Sequence, residues 1–253
     1  GKASRMNDAQ GRYIEFCKSS FTDLDLNGLS ILLDCANGAT YSVAPKVFSE
    51  LGAKVETIGS SPDGININQN CGSTNPDFLK EEMLKGSYDL GIAFDGDGDR
   101  ILIINSEGDI LDGDDILYIL SNSISPDTGV VGTLMTNKAL ELFFEKNDIP
   151  FLRAEVGDKY VLHKLVEKSW FLGGEPSGHV ICLDCAPTGD AIIAALKLLH
   201  AIKDNNFSLK KSLEGFSKFP QTLINLKVNN PIKIIISDKF WSEVTRIERQ
   251  LGE

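Results

Sequence analysis

Short apolar runs alternate with longer stretches of helical period along most of the chain. ILLDC (residues 31–35) reads as a buried strand, followed by a helix within NGATYSVAPKVFSELG that stops at Gly52. AKVETIG (53–59) predicts a second strand. SPDGININQNCGSTNP (61–76) is loop chemistry, with two prolines, two glycines and four asparagines. PDFLKEEMLKG (76–86) predicts a short helix with Pro near its start and Gly after its end. YDLGIAF (88–94) then predicts a strand, and ILIINSEGDIL (101–111) a hairpin through Ser106-Glu107-Gly108. DGDDILYILSNSI (112–124) predicts a helix with acidic residues in its first turn.

A second series follows the best linker candidate, ISPDTG (124–129). Its strands are GVVGTLM (129–135), PFLRAEV (150–156), WFLGG (170–174) and HVICLD (179–184). Its helices are NKALELFFEKND (137–148), DKYVLHKLVEKS (158–169) and TGDAIIAALKLLHAIK (188–203). Strands alternating with helices imply a mixed, mostly parallel sheet with helices on both faces. The expected fold class is therefore α/β, as two consecutive α/β domains: 1–127 and 128–230. Residues 231–253 end in a helix with nothing after it to pack against, which predicts a linker and the start of a further domain.

The chain has 253 residues, a hydrophobic fraction of 42% and a net charge of -11. That charge disfavours nucleic acid and anionic membrane as partners, because both bind through clustered Lys and Arg. No run of eighteen apolar residues occurs, so no transmembrane span is expected, and no signal peptide is readable. The first residue is Gly1 rather than Met, which raises the expectation of an upstream segment. Five cysteines (Cys17, Cys35, Cys71, Cys182, Cys185) suit a reduced, cytoplasmic compartment better than a disulfide framework.

FDGDGDR (94–100) crowds Asp95, Asp97 and Asp99 behind a predicted strand. Spaced i, i+2, i+4 in extended backbone, their carboxylates share a side, and Gly96 and Gly98 let the loop curl. Two such charges about 4 Å apart repel by about 4 kcal/mol at an effective dielectric of 20. The loop therefore needs a cation, solvent, or a raised pKa. Oxygen ligands without His or Cys favour Mg²⁺ or Ca²⁺; the alternative is a solvated turn. An EF-hand fails, because its sixth position would be Arg100 and its twelfth Ser106. Arg100 beside a metal loop suits a bound phosphate, or else it pairs with a loop aspartate.

GGEPSGH (173–179) offers Glu175, Ser177 and His179 on a glycine-bracketed turn, a set suited to sugar hydroxyls and a nearby phosphate. It does not have the G-x-S-x-G spacing of a serine-hydrolase elbow. A zinc site from His179, Cys182 and Cys185 lacks a fourth ligand, and strand geometry turns His179 and Cys182 apart.

DGDGDR after an apolar strand, with G-E-x-S-G-H following, resembles the α-D-phosphohexomutase superfamily. Within it, DCANGAT (34–40), PDGININ-x-NCGST (62–74), VGDKYV (156–161) and GGEPSGH resemble the bacterial phosphoglucosamine mutases. VGD stands where phosphomannomutase/phosphoglucomutase relatives carry VGH. The resemblance implies interconversion of glucosamine 6-phosphate and glucosamine 1-phosphate for UDP-N-acetylglucosamine synthesis. An enzyme phosphoserine and a sugar bisphosphate intermediate would carry the phosphoryl group. One Mg²⁺ would sit on Asp95, Asp97 and Asp99. Arg100 would lie beside the phosphoserine, Glu175 and Ser177 would hold sugar hydroxyls, and His179 would sit close to substrate.

The family has four domains, and the resemblance covers the second and third. Neither its serine loop (S-A-S-H-N-P) nor its C-terminal phosphate loop (R-x-S-G-T-E-P) occurs in these residues. The chain by itself is therefore expected to be inactive, with the outer domains of the same protein as its partners and a homodimer possible. Ala191 replaces a usual glycine, and TNKALE (136–141) departs from SN-x-GLE. The alternatives are another phosphohexomutase, or a non-catalytic remnant that binds metal or sugar phosphate.

Overall fold

Two mixed sheets organise this computed structural model, which describes residues 4, 6–125, 127–224, 227–229, 234 and 236–251. The first contains β1 (Ser30–Asp34), β2 (Lys54–Ile58), β3 (Leu90–Phe94), β4 (Ile101–Asn105) and β5 (Ile110–Leu111) in the order β2-β1-β3-β4-β5. β1 runs parallel to β2 and β3, whereas β3-β4 and β4-β5 are antiparallel. The second contains β6 (Val130–Thr133), β7 (Phe151–Ala154), β8 (Leu172–Gly174) and β9 (Val180–Cys182) in the order β7-β6-β8-β9. Its β6 pairs are parallel and β8-β9 is antiparallel.

Both faces of each sheet are covered, and the alternation of strand side chains shows how. Ile31, Leu33, Ile92 and Phe94 join a large core with α1 (Ala9–Ser19), α2 (Ala44–Glu50), α4 (Gly113–Ser121) and α7 (Ala191–Ile202). Leu32, Ala93 and Ile104 turn the other way, against Leu79 and Met83 of α3 (Asp77–Lys85). In the second sheet Val130, Leu172, Val180 and Cys182 join the same large core, with α5 (Lys138–Lys146). Val131 and Ile181 pack instead on Val161 and Leu165 of α6 (Asp158–Lys168). Each fully buried Leu, Ile or Phe contributes roughly 1.5–3 kcal/mol relative to exposure.

α4 packs against both β8 and α7, so one core serves both sheets. Residues Gly1–Phe219, ending after α8 (Leu209–Ser212), form one unit, and Pro220–Glu253 form a second that contains α9 (Asp238–Leu251). Pro126 of the expected linker, and residues 230–233 and 235 before α9, lie outside the described residues.

The helix predicted within residues 37–52 is broken. A 3-10 turn at Ala39–Ser42 precedes α2, because Ala36 and Asn37 are left-handed and hold the chain in a loop. α1 carries no strong apolar pattern, since only Ile14 and Cys17 are buried in it. Among the described residues no helix is long and apolar enough to cross a membrane. The five cysteines are free thiols, four of them buried.

Candidate active site

β3 ends at Phe94, and the acidic loop leaves the sheet at the carboxyl ends of β1 and β3, where open α/β sheets place ligand sites. Asp95 is buried and organises the loop. Its Oδ1 accepts from the N–H groups of Gly98 (3.2 Å), Asp99 (3.1 Å) and Arg100 (3.1 Å). Burial pushes the Asp95 carboxyl above its usual range; the Arg100 N–H opposes this and the neighbouring Asp99 adds to it. Asp97 is exposed and Asp99 half-buried. One carboxylate oxygen from each of Asp95, Asp97 and Asp99 lies within 4.8 Å of the others. Asp99 Oδ1 is buried with no hydrogen-bond partner among the described residues. Three converging carboxylates, with a buried Asp99 oxygen left unpartnered, fit a hard divalent cation such as Mg²⁺.

The loop rests on a scaffold to which the sequence reading assigned no role. Asp34, wholly buried at the end of β1, accepts from Ala36 N (2.9 Å) and Gly72 N (2.7 Å). It thereby ties DCANGAT to the 61–76 loop, and Ala39 N donates to Gly96 O at 2.8 Å. On the other side Ala191 N, at the start of α7, donates to Gly98 O at 3.0 Å. Asp190 caps that helix by accepting from Ile192 N and Ile193 N, and Tyr13 Oη donates to both Asp190 oxygens at 2.9 and 2.8 Å. An Asp just before an apolar helical run was a readable cap signal; the Tyr13 contact, 177 residues away, was not.

The second loop turns between β8 and β9 and meets the first directly. Ile101 N donates to Gly178 O at 3.0 Å, and Arg100 and His179 form an isolated antiparallel bridge. Gly178 has φ +91, and a Cβ there would stand 2.1 Å from Ile101 O, so the junction requires glycine. His179 Nδ1 lies 3.0 Å from Asp99 Oδ2, while its Nε2 is buried without a hydrogen-bond partner among the described residues. Glu175 is buried, and its Oε1 accepts from Gly157 N at 2.9 Å. Arg100 Nε stands 3.9 Å from both Asp95 Oδ2 and Asp99 Oδ1, too far to hydrogen-bond either. Ser177 is exposed on the rim.

Asp99, Arg100, Glu175, Ser177 and His179 line one cavity of about 410 Å³, together with Met135, Val156, Gly157, Asp158 and Pro176. Among the described residues the acidic trio is the one cluster placed to hold a metal; His179, Cys182 and Cys185 do not form a second.

Residues 11–108 match the model for phosphoglucomutase/phosphomannomutase α/β/α domain II, and residues 112–219 match that for α/β/α domain III. The chain belongs to the phosphoglucomutase/phosphomannomutase family. The resemblance read from DGDGDR and GGEPSGH is thus borne out, with the acidic loop in domain II and the GGEPSGH loop in domain III. The phosphoglucosamine mutase of Pseudomonas entomophila is 53% identical over 94% of this chain and 56% of that protein. That of Aeromonas salmonicida is 52% identical over 100% of this chain and 58% of that protein. The chain therefore spans a little over half the length of these relatives. Aspergillus fumigatus N-acetylphosphoglucosamine mutase, solved with GlcNAc-6P and magnesium, shares the fold with a TM-score of 0.67. That likeness covers 87% of this chain and 56% of the fungal one, at 21% identity.

Proposed function

We propose that this chain forms the metal and sugar sides of a phosphoglucosamine mutase site, which interconverts glucosamine 6-phosphate and glucosamine 1-phosphate. The observation that carries the reading is convergence: domain II brings Asp99 and Arg100, and domain III brings Glu175, Ser177 and His179, to one cavity. The phosphoglucosamine mutases at 53% and 52% identity support the choice of sugar.

Asp95, Asp97 and Asp99 would hold one Mg²⁺, which when bound offsets negative charge on the phosphoryl oxygens. Arg100 pairs with Asp95 and Asp99 at 3.9 Å without hydrogen-bonding either, which leaves guanidinium donors matched to phosphate oxygens. Glu175 keeps one carboxylate oxygen for sugar hydroxyls, because Gly157 N occupies the other. Ser177 adds a hydroxyl from the rim, and His179 holds Asp99 in place through Nδ1. The phosphoryl donor, an enzyme phosphoserine working through a sugar bisphosphate, would reach this cavity from outside these residues.

The test is a comparison of kcat/KM on the whole protein for glucosamine, glucose and mannose 6-phosphates with Mg²⁺ and the matching bisphosphate. The amino sugar is expected to lead. Preference for glucose or mannose would assign the site to another phosphohexomutase, and no turnover of any would remove the reading.

A further inference from the structure

Three acidic residues line the cavity, and the carboxylates of two are engaged. Asp99 faces His179 Nδ1 at 3.0 Å, and Glu175 accepts from Gly157 N at 2.9 Å. The third is Asp158, the first residue of α6, which lines the same cavity and is exposed. Its carboxylate has no hydrogen-bond or ion-pair partner among the described residues. The bond between Gly157 and Glu175 fixes the backbone of Asp158 beside the sugar loop.

An acidic residue in the first turn of a helix is common, because the helix dipole favours it there. That account explains the residue type and leaves its place on the cavity wall unexplained. Charge makes the place informative. Arg100 is the one Lys or Arg among the residues lining the cavity. A sugar phosphate is an anion, so a free carboxylate on the wall repels it unless the sugar carries a cation of its own. A 2-amino sugar does, as an ammonium largely protonated at neutral pH, whereas a hydroxyl or an acetamido group does not.

We infer that Asp158 is the specificity-determining residue of this site: its carboxylate receives the substrate's ammonium while Glu175 and Ser177 address hydroxyls. This assignment rests on the reading of the site as a phosphosugar mutase. It predicts selection of amino sugars over their 2-hydroxy counterparts by a charge-assisted contact, rather than by the shape of the pocket.

The experiment compares wild type, Asp158→Asn and Asp158→Glu in the whole protein. It reads kcat/KM for glucosamine 6-phosphate and glucose 6-phosphate at fixed Mg²⁺. For Asp158→Asn the ratio of the two values is expected to fall about tenfold or more, through the KM of the amino sugar. Asp158→Glu is expected to retain most of the ratio. An unchanged ratio in Asp158→Asn overturns the assignment, whether both activities fall together or neither moves. If the wild type turns over neither sugar, the mutase reading fails. Calorimetric binding of the same two sugar phosphates to wild type and Asp158→Asn then decides the Asp158 assignment by the same ratio.

Discussion

His179 Nδ1 lies 3.0 Å from Asp99 Oδ2, and this contact joins the two loops that line the proposed site. His179 is 4% exposed, packed so closely beside Gly189 that a Cβ there would meet the ring at 2.2 Å. With the backbone bridge between Arg100 and His179, the contact makes the acidic loop and the GGEPSGH loop one mechanical piece. Substitutions that shift one loop are therefore expected to register at the other.

Gly113 tests that coupling from outside the cavity. Its N–H donates to Pro176 O at 3.3 Å, and a Cβ would stand 1.9 Å from Glu175 O. Gly113→Ala must push the GGEPSGH loop away from α4. It is expected to cost about 1–3 kcal/mol in urea unfolding and to raise the KM for sugar phosphate. An unchanged KM would show that the loop relaxes without disturbing the site.

Asp114 makes stability depend on pH. It is 2% exposed; Oδ2 accepts from Asn137 N at 2.8 Å, and Oδ1 has no partner among the described residues. Burial pushes its carboxyl from 3.8 up to about 7, with Asp112 and Asp115 adding to the effect and the Asn137 N–H and Lys218 opposing it. The fold thus keeps a proton that the unfolded chain releases near pH 4. This contribution to stability is full below that pH, declines as pH rises to about 7, and is flat above. The total is up to about 4 kcal/mol. Asp114→Asn is expected to remove this slope and to be the more stable protein at pH 8. Parallel pH profiles of unfolding for the two proteins would contradict it.

Tyr13 and Asp190 support the acidic loop through α7, whose first N–H reaches Gly98 O. Tyr13→Phe removes one hydrogen bond to a carboxylate and is expected to cost about 1–2 kcal/mol. Asp190→Ala removes the cap as well and is expected to cost more, about 2–4 kcal/mol, with weaker Mg²⁺ binding. Equal losses for the two variants in thermal unfolding would show that the cap adds nothing.

The strands were legible because each buried one is a short, continuous apolar run ended by turn residues. LGIAF, buried at every position, is the clearest case. The acidic trio was equally legible, since its three carboxylates lie within five residues and geometry from afar is not needed to gather them. α1 escaped notice because it buries a single narrow stripe, Ile14 and Cys17, on an otherwise polar helix. The partners of His179, Glu175 and Asp190 escaped because each lies in a distant segment: Asp99, Gly157 and Tyr13. The spacing of residues within one motif carries no record of such contacts. Asp34 falls within the buried run ILLDC, and only the left-handed loop after it shows a carboxylate holding two backbone amides.

The cation site proposed at the acidic loop is measured directly by calorimetric titration of Mg²⁺ into wild type and Asp97→Ala. Asp97 is exposed and supports no core packing, so the substitution is expected to leave the unfolding midpoint in chelator unchanged. Wild type is expected to bind one Mg²⁺, and Asp97→Ala to bind it at least tenfold more weakly. Identical binding by the two proteins, or none by either, would make DGDGDR a solvated turn and contradict the account.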